Sequence, residues 1–185
     1  MARMDYTVPG LIIPVQQPSG MSCWAAMYTM MYSWKNQVSI PIRDAVSQLG
    51  QRYVDCFDNN TGLPIEENRN LAAAAGMEAE PLMNPSIDGW LSYLRQYGLL
   101  WTSYGWQVFD ATGLTEVRAG RHIIIIYGLV GDGTPGGTTV RYVDPSDGKF
   151  HTMTFSRFLS QHETGFTMRP LTDTQLGQFS QIMHY

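Results

Sequence analysis

Cysteine is scarce in this sequence, which has only Cys23 and Cys56 among its 185 residues. Two cysteines do not build the disulfide framework of a small secreted protein, and neither belongs to a CxxC pair. Histidines are also few, and their spacing is not that of zinc ligands; they are His122, His151, His162 and His184. We therefore expect no structural metal and no cofactor at the functional site.

Lysine is equally rare, with Lys35 and Lys149 alone, and the chain has no basic run. A nucleic-acid partner is therefore not expected. Long apolar runs are missing as well, and the longest, residues 123–130, is too short to span a membrane. The first ten residues lack the apolar core of a signal peptide. These absences argue against a membrane partner and predict that any export follows a specialised secretion route.

The chain does contain a helix-rich half followed by a strand-rich half. Residues 23–34 hold no glycine or proline and favour helix, whereas residues 121–130 are β-branched and apolar. Helices followed by an antiparallel sheet predict an α+β fold. The length predicts a single domain, residues 1–185. Within it we expect an extended arm (1–16), a mostly helical half (17–100), an antiparallel sheet half (101–160) and a C-terminal tail (161–185).

Local patterns predict the elements between these landmarks. Helices are expected at residues 39–49, 64–75, 86–97 and 155–161, and the plausible N-caps of the first and third are Ser39 and Ser86. Strands are expected at residues 99–104, 138–143 and 149–154. Turns are predicted at residues 51–64, and strand edge and loop at residues 105–120. Residues 171–185 carry no strong signal.

Residues 17–34, QPSGMSCWAAMYTMMYSW, place a cysteine at the start of a helix. Ser22 is a good N-cap, and Pro18 and Gly20 keep helix out of the residues before it. Cys23 therefore falls in the first turn, where unpaired backbone N–H groups and the helix dipole stabilise a thiolate. We interpret Cys23 as a nucleophile. The same helix carries an apolar stripe for the core, formed by Trp24, Met27, Met31 and Trp34.

A histidine and an aspartate fall at the same end of a predicted hairpin. If residues 121–130 pair with residues 138–143, opposing positions sum to about 266 to 267, and the sum for His122 and Asp144 is 266. Asp144 would then accept from one ring nitrogen and orient the other toward the thiolate. Other acids lack this register; they are Asp110, Asp132 and Asp147. The surface is the expected place of His151, His162 and His184.

Together these residues resemble a papain-like cysteine protease. Gln17 stands six residues before Cys23, and the order Gln, Cys, His, Asp is that of the papain clan. The bacterial branch with the AvrRpt2-type effector proteases is similar at residues 15–17, at SCWAA (22–26), at the histidine strand (121–128) and at Asp-Pro (144–145). The peptidases of bacteriocin exporters are similar in the histidine strand and the Asp-Pro turn. The resemblance covers about residues 8 to 160.

The resemblance implies a papain-like fold, with the nucleophile helix packed on the sheet, and a cysteine endopeptidase. Cys23 would attack the peptide carbonyl, His122 would act as base and then as acid, and Asp144 would orient His122. The Gln17 amide and the Cys23 backbone N–H would form the oxyanion hole. Gln16 is the alternative if the arm is shifted by one residue.

The resemblance also implies a bacterial effector or toxin that enters the cytoplasm of a target cell and cleaves specific proteins there. In interbacterial competition, the producing cell would need a cognate immunity protein. Two other functions stay open. The same residues could serve an amidase, a deamidase or a transglutaminase on peptidoglycan or protein, or the site could be inert within a binding module. Gly20 replaces an extra cysteine of papain, and Asp144 replaces its asparagine, which favours a compact bacterial enzyme over a cathepsin-like zymogen.

Overall fold

The computed structural model of this chain describes residues 4–113 and 115–185. Its helices are α1 Cys23–Asn36, α2 Ile42–Ser47, α3 Gln51–Asp58, α4 Asn68–Ala75, α5 Ile87–Tyr97, α6 Phe155–Thr167 and α7 Asp173–Gln178, and a 3₁₀ turn, Ile65–Glu67, precedes α4. Its strands are β1 Met4–Thr7, β2 Glu78–Ala79, β3 Leu100–Phe109, β4 Glu116–Gly131, β5 Thr138–Asp144, β6 Lys149–Thr154 and β7 Ile182–His184. This mixture of helices and antiparallel sheet confirms the predicted α+β class. No helix in these residues is long and apolar enough to cross a membrane.

The central strand of the sheet is β4, in the order β2-β7-β3-β4-β5-β6. β3 pairs along one edge of β4, and β1 continues that edge opposite residues 128–131. β5 covers the other edge only from Ile125 to Gly131. Before Ile125, the described part of the chain gives this second edge no partner strand. His122 lies in that stretch, so this predicted site residue stands at a free edge of β4.

Helix α1 is buried around nearly its whole circumference, which exceeds the predicted apolar stripe. Residues 24–31 are all buried, and Met27 and Met31 are completely inaccessible. A helix that is apolar on all sides belongs in a core, and α1 packs against both α2 and β4. The start of α1, and with it Cys23, is therefore held firmly against the sheet.

The N-terminal arm contains a strand that local pattern does not predict, because β1 is short and pairs only with the distant β4. Beyond β1 the arm follows α1. The indole N–H of Trp34 donates to the carbonyl of Pro9 at 2.9 Å, and the backbone N–H of Val15 donates to Met30 Sδ at 3.2 Å. These contacts lead the arm along the helix toward its first turn.

The helices that follow α1 differ from the prediction. The sequence predicts turns at residues 51–64, but α3 occupies the first part of this segment. Only Tyr53 and Val54 of α3 are buried, so its apolar signal is too short for a period to be recognised. The preceding helix, α2, is shorter than predicted, and Pro41 rather than Ser39 is its N-cap.

The hairpin of β3 and β4 is longer than the sequence predicts. Strand edge and loop are expected at residues 105–120, yet the two strands remain paired as far as Val108 and Arg118, with an irregularity beyond them. Val108, Phe109 and Val117 are exposed. The extension therefore lacks the alternation of buried apolar and exposed polar residues by which a strand is recognised in a sequence.

The residues predicted as a C-terminal tail complete the sheet. α6 continues to Thr167, a capping box between Thr172 and Gln175 starts α7, and β7 lies between β2 and β3. Ile182 and Met183 in β7 are buried. A three-residue strand offers too few positions for a pattern, and its partners are distant in sequence, so local reasoning misses it.

The predicted register of the β4–β5 hairpin is wrong by one to two residues. Ile125 lies opposite Val143, so opposing positions near the end of β5 sum to 268 instead of the predicted 266 to 267. The register also shifts between residues 126 and 128, which is a local irregularity that alternation does not encode. His122 and Asp144 are therefore diagonal neighbours instead of direct cross-strand partners, a relation that long side chains can still bridge.

Gly105 sets the distance between β3 and α6. It is buried, and a Cβ atom there would lie 2.6 Å from the backbone nitrogen of Gly165 and 2.7 Å from the carbonyl carbon of Thr164. We predict that Gly105→Ala lowers the free energy of unfolding by about 1–3 kcal/mol, because backbone must move to admit the methyl group. Denaturant titration measures this effect.

Gly136→Ala is the matched control, since a Cβ at Gly136 would meet nothing within 4 Å. This variant should stay within about 0.5 kcal/mol of the wild type. Equal stability of the two variants would show that α6 does not depend on the close approach at Gly105.

Candidate active site

His122 and Asp144 form a short hydrogen bond at the open edge of β4. His122 Nε2 lies 2.8 Å from Asp144 Oδ1, and the two side chains are only 17% and 15% exposed. The same carboxylate oxygen accepts from the backbone N–H of Ser146 at 2.8 Å. The ring of Tyr104 meets the imidazole edge-on, with 5.5 Å between centroids. The orientation of the imidazole is thus fixed from two sides.

Cys23 is the first residue of α1, is half-buried and lies close enough to His122 to raise the pKa of the imidazole. Because Nε2 of the ring faces Asp144, Nδ1 is the nitrogen left for the thiol. Both cysteines of the chain are free. Ser22 occupies the predicted N-cap position, but its side chain caps no helix N–H; the hydroxyl donates to the carbonyl of Ser19 at 2.9 Å. The backbone N–H groups of Ala25 and Ala26 donate to the carbonyl of Ser22. Those of Cys23 and Trp24 have no acceptor among the described residues and remain available to the thiolate.

Gln17 reaches the same cleft from the N-terminal arm. Its backbone N–H donates to the carbonyl of Pro145 at 2.8 Å, and its side-chain amide donates to the carbonyl of Ser19 at 2.8 Å. Gln16 is exposed, and its amide donates to the carbonyl of Ser146 at 3.2 Å. Of the two glutamines, Gln17 lies on the cleft wall and Gln16 does not.

The turn that begins at Asp144 joins the imidazole to the arm. The backbone N–H of Gly148 donates to the carbonyl of Asp144 at 2.9 Å, and Gly148 adopts a φ of 63°. A Cβ atom on Gly148 would lie 2.8 Å from the backbone nitrogen of Gln16. The turn is therefore packed tightly against the arm, and the position of Gln17 depends on it.

A sequence model of one protease family matches most of this chain. The family is described as papain-like cysteine protease AvrRpt2, and the match covers residues 4–163. The chain belongs to this family. It is therefore a papain-like cysteine protease, a hydrolase, and the resemblance to the AvrRpt2-type proteases is confirmed. No curated protein matches the chain.

In this AvrRpt2-family protease, His122 and Asp144 have opposite pKa shifts. Burial is the largest influence on His122 and lowers its pKa, but the hydrogen bonds to Asp144 and Cys23 outweigh it and raise the pKa to about 9. Burial also acts most strongly on Asp144 and raises its pKa, yet the hydrogen bonds from His122 and Ser146 bring that pKa down to about 2. At neutral pH the imidazole is therefore protonated and the carboxylate ionised.

A cleft of about 700 Å³ extends beside these groups, with Gln17, Cys23 and His122 on its wall. Sequence reasoning missed the residues that shape the rest of the cleft. Aromatic side chains line it at Trp101, Trp106 and Phe179, and basic side chains at Arg118, Arg121 and Arg169. Arg121 directly precedes His122, and Arg118 lies four residues before it on the same strand. The other residues reach the cleft through packing between segments that are distant in sequence.

The other histidines of this papain-like protease are not all at the surface, contrary to the prediction. His162 and His184 are 1% and 0% exposed, and His151 is half-buried. His162 lines a second cavity of about 500 Å³, which contains no cysteine. His184 Nε2 lies 2.8 Å from Glu80 Oε1, and with Glu78 these residues offer ligand atoms within 4.8 Å of one another. This group could hold a cation, but none of its members lines the active-site cleft.

We predict that Asp144→Asn lowers the pKa of His122 from about 9 toward or below 6.5. The variant loses the charge and the ionic hydrogen bond that favour imidazolium, while the burial that opposes it remains. Titration of the histidine ring signals by NMR measures this change. Asp147→Asn, which alters the aspartate beside His151, is the control and should leave His122 unchanged.

The same shift predicts how stability depends on pH. His122 keeps its proton to about pH 9 in the folded chain but only to about 6.5 when unfolded. The stabilisation it contributes is therefore complete below pH 6.5 and is lost as the pH rises through about 9. The difference in unfolding free energy between wild type and Asp144→Asn should shrink over that interval. A difference that grows toward pH 9 would contradict this assignment of the proton.

Proposed function

We propose that this AvrRpt2-family protease is a cysteine endopeptidase with Cys23, His122 and Asp144 as its catalytic triad. The observation that carries the proposal is the hydrogen bond between Asp144 and His122, with Cys23 beside the imidazole and with Cys23 and His122 both on the wall of an open cleft. A nucleophile, its base and an orienting carboxylate in this order are what nucleophilic catalysis requires. The packing of α1 against β4 supports a papain-like arrangement, with the nucleophile helix on the sheet.

In the reaction, the thiol proton of Cys23 resides on the imidazole of His122 from the start, and the Cys23 Sγ thiolate attacks the scissile carbonyl to form a tetrahedral oxyanion. When the oxyanion collapses, the C–N bond breaks and His122 donates its proton to the leaving amine. A water molecule then loses a proton to His122 and attacks the thioester, which releases the carboxylic product and restores the Cys23 thiolate beside protonated His122. Throughout these steps Asp144 stabilises the imidazolium and keeps Nδ1 directed at the thiol.

Two N–H groups support an oxyanion hole beside Cys23. Its own backbone N–H, at the first position of α1, has no acceptor within residues 4–113 and 115–185. The Gln17 amide has two hydrogens, and the one donated to Ser19 leaves the other for the substrate oxyanion. Preorganised donors of this kind stabilise the charge that develops in the transition state.

The biological part of the proposal is delivery into another cell. The family match to AvrRpt2 supports an effector that leaves the producing bacterium by a specialised secretion route and cuts specific proteins in the target-cell cytoplasm. The open cleft suits an extended segment of a protein substrate. Where the target is a rival bacterium, a cognate immunity protein would have to block this cleft in the producing cell.

The test compares wild type with Cys23→Ala, expressed in bacterial and in eukaryotic cells, by following growth and new protein termini. New termini with the wild type alone establish an endopeptidase and identify its target. Toxicity that disappears in Cys23→Ala without any new termini would instead indicate an amidase, a deamidase or a transglutaminase. Cys56→Ala, which changes the other free cysteine, is the matched control and should behave as wild type.

A second prediction concerns the oxyanion hole. Gln17→Ala should lower kcat on the identified cleavage site by about 10²- to 10³-fold with little change in KM, because the lost donor acts in the transition state. Alkylation of Cys23 by iodoacetamide, which forms no oxyanion, should proceed as in wild type. Gln16→Ala is the control and should retain kcat; a large loss there, with none in Gln17→Ala, would assign the donor to Gln16.

A further inference from the structure

Three arginines, which we call the basic wall, line the cleft: Arg118 and Arg121 from β4, and Arg169 after α6. No acidic residue of the described chain lines the cleft, and none of these arginines forms an ion pair there. The protein as a whole carries a net charge of −4. A positive wall on an acidic protein concentrates the local field and attracts anionic groups of a partner.

Arg121 is the most firmly held of the three. Its Nε donates to the carbonyl of Gly165 at 2.7 Å, and its guanidinium lies 5.2 Å from the ring centroid of Phe179. Its Nη2 is buried without a partner among the residues described. Burial, and then the charge of Arg169, lowers the pKa of Arg121. A partly buried cation that faces a second cation and lacks a counterion is costly, and a bound carboxylate would relieve that cost.

The distance along β4 between the basic wall and His122 determines which substrate residues can reach the wall. Arg121 directly precedes His122 on β4, and Arg118 stands four residues before it, where it lies 5.9 Å from the ring centroid of Trp106. At about 3.3 Å per residue, β4 carries Arg118 roughly 13 Å from His122. An extended substrate rises by the same amount per residue. Side chains within about four residues of the bond that is cut therefore reach this wall.

We propose that the basic wall is a substrate subsite that selects protein segments with aspartate or glutamate within about four residues of the scissile bond. This inference rests on the proposed endopeptidase function and adds a substrate class to it. The carboxylate would accept from the unpartnered Nη2 of Arg121 and from the guanidinium of Arg169, whose fork geometry suits a carboxylate. The ring of Trp106, which is partly exposed, would pack against the apolar stem of the bound residue.

The test is cleavage of a proteome-derived peptide library, with the residues on both sides of each cut identified by mass spectrometry. Wild type should enrich aspartate and glutamate at one or two positions near the cut. Peptide pairs that differ only by glutamate and glutamine then quantify the preference. Arg121→Met, which keeps an apolar stem over Phe179, and Arg169→Gln should each reduce this preference by about 10- to 100-fold. Arg43→Gln, which removes an exposed arginine on α2, should retain it.

Failure of the subsite and failure of the endopeptidase proposal give different results. Cleavage without an acidic preference, or a preference that both arginine variants retain, overturns the subsite and leaves the endopeptidase intact. If wild type cuts no more peptides than Cys23→Ala, the endopeptidase proposal is overturned and the subsite falls with it. Loss of preference in both variants with retention in Arg43→Gln supports the subsite.

A charge swap separates recognition from a structural role. Arg169 is exposed, so Arg169→Glu should fold, and thermal unfolding checks this. The subsite requires that Arg169→Glu cut a peptide with lysine at the selected position better than its glutamate counterpart. Damage to the fold would lower both rates without reversing their order. An unreversed preference for glutamate in this folded variant would remove Arg169 from the subsite and overturn the proposal.

Discussion

The carboxylate of Asp144 is the contact on which the geometry of the cleft depends. It accepts from His122 and from the backbone of Ser146, and the turn it opens presents the carbonyl of Pro145 that holds Gln17. This turn thus positions two groups that lie far apart in the sequence. Because the contact between His122 and Asp144 is partly buried, solvent screens it less than it would at the surface, and the contact is electrostatically stronger.

Much of the candidate site could be predicted because its signals are local. The absence of helix before Cys23 follows from Pro18 and Gly20, and the uninterrupted residues after it dictate α1. The meeting of His122 with Asp144 follows from two strands of recognisable pattern. Their register could not be predicted correctly, because the exact turn and the irregularity near residue 127 shift the pairing without changing the apolar pattern of either strand.

The walls of the cleft could not be predicted, because they depend on contacts between distant segments. Phe179 belongs to a part of the chain with no apolar period, and it reaches the cleft because β7 joins the sheet beside β3. Arg169 reaches the cleft because it follows α6, which packs against β3. The short elements α3 and β1 are missed for the same reason, since tertiary packing rather than local propensity stabilises them. Local patterns thus reveal the reacting groups, whereas topology determines what surrounds them.

The insertion of β7 between β2 and β3 has a consequence for the order in which the nascent chain acquires its structure. β7 is translated after both of its neighbours, so the edge of β3 stays uncovered until residue 184 has left the ribosome. An uncovered edge of this kind can pair with other chains. The hairpin with His122 and Asp144 can form earlier, but the wall that contains Phe179 cannot. The cleft is therefore complete only after β7 has been translated and has paired with β2 and β3.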